Sequence, residues 1–179
     1  MVYKDYCDLF LYLRLKILKF IIVSLINVNM ADISEGTIRE LYDLVLKEFK
    51  KIESNFNADV VLEFANKEDY LSLFKKHAPH YLNKIIEKGI VKNEEDAVDK
   101  FPFYSVKFKE KLLIICYLPT LSNITKNSET KEANLFVKGA LIHELAPLTM
   151  EEDEVLKFVS KNFPIYDEVL QRLHMAIFH

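Results

Sequence analysis

The chain has 179 residues, 50% hydrophobic and 28% charged, enough apolar material for one globular domain with its own core. A formal net charge of −3 without a basic face argues against a nucleic-acid partner. The only glycines are Gly36, Gly89 and Gly139, too far apart for a P-loop or a dinucleotide fingerprint, and the only cysteines, Cys7 and Cys116, form neither a metal spacing nor a disulfide framework. A reducing, cytoplasmic setting fits that cysteine usage.

Residues 1–29 differ in composition from the rest of the chain. Lys4, Arg14, Lys16 and Lys19 against Asp5 and Asp8 give a net of +2, so residues 30–179 carry −5. The longest charge-free run, Phe20–Ala31, has 12 residues. A membrane span needs roughly 18 or more. The run ends without a small-x-small cleavage site, which speaks against a signal peptide. A basic interfacial helix is another reading. The favoured one takes Met30 as the start of the domain, residues 30–179, and residues 1–29 as a start-site over-extension or a peripheral helix.

From Ser34 to Ser54 the period is helical. Ile38, Leu41, Tyr42, Val45, Phe49 and Ile52 share one face, with Asp32 or Ser34 as the cap. Asp59–Phe64 reads as a strand. Lys67–Lys76 is a short helix, and Pro79 opens a second one that Gly89 stops. His77 and His80, three apart across Pro79, read as surface histidines rather than a metal pair. Asn93–Asp99 is a capped turn of helix. Phe103–Phe108 alternates and Leu112–Leu118 is an apolar run. With a turn at Lys109-Glu110-Lys111 they predict an antiparallel hairpin whose second strand is central and holds Cys116 as a buried thiol. Thr120–Lys131 is polar and reads as a surface loop.

Glu132–Ala146 returns to helical spacing, with Leu135, Phe136, Gly139, Ile142, His143 and Ala146 on one stripe. Gly139 and Ala140 are small enough for a close approach to the sheet. Thr149-Met150-Glu151-Glu152 predicts the cap of a helix Glu151–Asn162, and a last helix comes after Pro164. The whole predicts an α+β domain with a small, mostly antiparallel sheet and packed helices.

The segment Ala140-Leu141-Ile142-His143-Glu144-Leu145-Ala146-Pro147 carries the only legible chemical motif. A His-Glu pair on an apolar helix resembles the active-site helix of the zincin metallopeptidases, whose pattern is His-Glu-x-x-His. Helix geometry puts residues four apart on one side, so two imidazoles hold one zinc. The intervening glutamate takes a proton from the zinc-bound water. The resemblance spans roughly residues 34–146 and implies His143 as a metal ligand and Glu144 as the catalytic base. The second histidine position is Pro147, which has no ligand atom and no N–H. Glu151, Glu152, Asp153, Glu168 and His174 are the acids and histidine downstream that such a site would draw on, and no spacing selects among them. The resulting expectation is a zincin-like domain without peptidase activity and without a cofactor, zinc being the one ion that its motif could hold. The alternatives are an interaction domain unrelated to zincins, whose C-terminal helices meet a protein or peptide partner, and a zinc-dependent hydrolase with atypical ligands. Pro147 is expected to end the helix at Leu145–Ala146 and to push Ala146 out of the helical region.

Overall fold

The computed structural model describes residues 33–54, 56–108 and 111–178; the side chains of residues 108, 152, 153 and 173–178 are outside that description. Residues 1–29, and with them Cys7, lie outside the described residues, as do Lys109 and Glu110 of the expected turn.

Among the described residues the order is α1 (Glu35–Ile52), β1 (Asp59–Phe64), α2 (Lys67–His77), α3 (Pro79–Glu87), α4 (Glu94–Lys100), β2 (Phe103–Phe108), β3 (Lys111–Cys116), α5 (Leu118–Thr125), α6 (Thr130–Leu145), a 3-10 turn (Ala146–Leu148), α7 (Glu152–Asn162) and α8 (Pro164–Phe178). The mixed α+β class is as expected. Local chemistry sets the helix ends. Ser34, Asn66 and Asn93 cap α1, α2 and α4 by accepting from the N–H groups of Thr37, Asp69 and Asp96. Pro79 opens α3, where its missing N–H costs nothing. Gly89, at φ 68°, takes the left-handed conformation that ends it.

The three strands form one sheet in the order β1-β3-β2. β2 and β3 pair antiparallel from Phe103↔Cys116 to Phe108↔Lys111, the expected hairpin. β1 and β3 pair parallel from Asp59↔Lys111 to Phe64↔Cys116. The sheet is therefore evenly mixed rather than mostly antiparallel. The cause is topological: the chain leaves β1 through α2–α4, lays β2 on the outside, and the hairpin turns β3 into the gap. β3 is central and buried, Cys116 included, as its apolar run predicts.

Strand alternation feeds two cores. Leu62, Phe103, Leu112, Ile114 and Cys116 face α1, α6 and the C-terminal helices. Tyr104, Val106 and Ile115 face Tyr70 and Phe74 of α2, Leu82 and Ile85 of α3, and Ala97 and Val98 of α4. The result is three layers with the sheet in the middle. α1 also covers the β1 edge. Tyr42 Oη donates to Val60 O at 2.8 Å, and an Arg39 guanidinium N–H donates to Leu62 O at 3.4 Å. Both are carbonyls that an exposed edge strand would offer to another chain.

The segment Thr120–Lys131 is not the loop its composition suggests. It contains the end of α5 and the start of α6. Its hydroxyls are used internally: Thr120 Oγ1 donates to Val98 O at 2.8 Å and Thr125 Oγ1 to Leu121 O at 2.9 Å. Thr120, Leu121, Thr125 and Ser128 are buried. No helix among the described residues is long and apolar enough to cross a membrane.

Candidate functional site

α6 is packed between α1, the C-terminal helices and the sheet. Ala133, Phe136, Val137, Gly139, Ala140, Leu141, Ile142 and Leu145 are all buried, so apolar residues occur on every side of it. Such a helix belongs in the middle of a fold rather than on its surface. Gly139 sets its closest contact. A Cβ built there would lie 2.7 Å from Tyr166 O and 3.2 Å from Leu170 Cβ. Gly139 thus permits α6 to approach α8, not the sheet as its sequence context suggests. Nearby, Tyr166 Oη donates to Glu48 Oε2 at 3.0 Å, and Lys138 Nζ donates to Tyr166 Oη at 3.3 Å and lies 3.8 Å from Glu48 Oε1, joining α1, α6 and α8.

His143 lies one turn beyond Gly139 on the same side. Its side chain is 22% exposed, and Nε2 points at Asp167 Oδ1 of α8, 3.5 Å away. Asp167 is buried, and its other carboxylate oxygen accepts from Gln171 Nε2 at 3.0 Å. Burial lowers the His143 pKa; the Asp167 carboxylate opposes this without reversing it. His143 thus gives up its proton more readily than a free imidazole, although it faces a carboxylate.

Glu144 turns elsewhere. Its carboxylate is half-buried and lies beside Ser105 on β2. Ser105 shares its face with Phe103 and Lys107, toward α6, on the outer strand β2 of the sheet. Burial pushes its pKa up to about 7, and the nearby Ser105 hydroxyl and N–H pull it down. The carboxylate also lies close enough to Tyr70 to raise that phenol's pKa, after burial itself.

Pro147 sits exposed in the 3-10 turn at the end of α6. The helix ends at Leu145, as the proline predicts. Ala146, however, stays in the right-handed helical region at φ −58°, ψ −39°, with its N–H on Ile142 O. The chain tightens into the 3-10 turn instead of extending, and Ala146 O accepts from the N–H groups of Thr149 and Met150. Thr149 is spent in that turn, its Oγ1 donating to Ala146 O at 3.3 Å. It therefore does not cap α7, whose N-cap position is Glu151 without a side-chain bond.

Of the downstream candidates, Glu151 and Glu168 are exposed, while the side chains of Glu152, Asp153 and His174 lie outside the described residues. His80 is exposed and His77 half-buried at the α2–α3 junction. Among the described residues no three His, Cys, Asp or Glu side chains are grouped to hold a metal ion. The structure therefore separates His143 from Glu144 and gives each a partner that the motif does not reveal. Asp167 has a legible signal: it is an acid four residues after Phe163 and three before Leu170, among apolar residues of α8. Ser105 has a weaker one, as the small hydroxyl between Phe103 and Lys107 on one face of β2. Comparison with protein-family models, with curated proteins and with solved structures returned no match.

Proposed function

We propose that this chain is a zincin-like domain whose His-Glu pair holds the fold together instead of a metal ion, and that it has no peptidase activity. The observation that carries this reading is the divergence of the two side chains. His143 faces Asp167 on α8, and Glu144 lies beside Ser105 on β2. A zinc hydrolase needs both aimed at one point, the imidazole on the metal and the carboxylate on its water. The donor set does not fit zinc either. His143 and Asp167 are two groups, and the next helical turn offers Pro147, where a second imidazole would stand. The pair is better suited to joining α6 to its neighbours on two sides. A direct test is turnover of a quenched fluorescent peptide library with zinc added in excess. The expected rate equals that of the Glu144→Gln variant, and a rate that this substitution abolishes would restore the hydrolase reading.

The second reading is an interaction domain unrelated to zincins that uses its C-terminal helices. It is favoured by Leu156 of α7 and Ile165 of α8, 61% and 63% exposed. Single exposed apolar residues are common, but these two lie on consecutive helices. Replacing both with aspartate leaves the fold intact in either case. It abolishes binding of a protein or peptide partner only if this surface makes the contact.

A further inference from the structure

We draw no further inference here: the strongest candidate, the open apolar groove of about 370 Å³ between the end of α1 and the α7–α8 turn, lined by Ile52, Phe163, Pro164 and Ile165, carries nothing because nothing in the structure shows what covers it.

Discussion

His143 Nε2 and Asp167 Oδ1 face each other at 3.5 Å across the α6–α8 contact, and both atoms are shut off from solvent without a hydrogen bond to any other group. A buried carboxylate oxygen and a buried ring nitrogen are each costly alone. Removing one leaves the other unmatched. The substitution His143→Ala should therefore destabilise the protein by about 1–3 kcal/mol, from the desolvated partner left behind. The pairing itself is read by a double-mutant cycle with Asp167→Asn, where a coupling of roughly 0.5–3 kcal/mol is expected. Additive effects in urea unfolding would mean that the two groups merely lie near each other.

The adjacent glutamate gives stability an opposite dependence on pH. The Glu144 pKa is raised to about 7 in the fold from an ordinary 4.5, chiefly by burial. The folded state then holds the proton more tightly than the unfolded chain. This contribution is fully present below about pH 4.5 and is lost as pH rises through 7. His143 is lowered in the fold, so its contribution is present above its unfolded value of 6.5 and is lost as pH falls. Glu144→Gln should flatten the loss on the alkaline side, by on the order of 1–3 kcal/mol between pH 5 and 8. His143→Gln should flatten the acid side. Unfolding midpoints across that range test both, and a Glu144→Gln profile parallel to wild type would show that the carboxylate is open to solvent.

Gly139 predicts a third outcome. Alanine is the better helix former by about 1 kcal/mol. Here its methyl would meet Tyr166 O, a backbone atom that cannot swing aside, at 2.7 Å. Moving α8 away also stretches the His143–Asp167 pair and the Tyr166–Glu48 bond one turn off. Gly139→Ala should cost roughly 1–3 kcal/mol net, in the range of overpacked cores. A stabilised variant by calorimetry would contradict the close approach of α6 and α8.

Much of this architecture is legible in the chain, because apolar spacing and capping residues act locally. The face Ile38-Leu41-Tyr42-Val45-Phe49 is buried as its period requires, and Asn93 caps α4. The alternation in Phe103–Phe108 sends Phe103 to one core and Tyr104 and Val106 to the other. The illegible features depend on partners distant in sequence. The polar stretch after Pro119 is partly helical, with its hydroxyls satisfied inside the fold: Thr120 donates to Val98 O, 22 residues earlier. The parallel β1–β3 pairing comes from where the hairpin lands and not from any strand's own pattern. The His-Glu pair is visible as a motif, but the motif predicts a shared target, whereas Asp167 and Ser105 draw the two side chains apart.

The resemblance to zincins has its own test at Pro147. Histidine there restores the missing imidazole four residues after His143, with the Asp167 carboxylate beside the first one. Pro147→His should extend α6 by a turn and bind zinc at least about tenfold more tightly than wild type in calorimetry, a gain of about 1.4 kcal/mol. Turnover is not expected, because no third ligand is grouped with the pair among the described residues. An intact fold with unchanged zinc affinity would remove the main support for the zincin reading while leaving the structural roles of His143 and Glu144 in place.

The most direct measurement is the metal content of the wild-type protein, purified without chelator and without a metal-affinity tag, by inductively coupled plasma mass spectrometry. His143 facing Asp167, Glu144 beside Ser105 and a proline at the second ligand position predict zinc far below one ion per chain, with unfolding midpoints unchanged by added zinc. One zinc per chain, lost together with stability in His143→Ala, would contradict the account and make the His-Glu helix a working metal site.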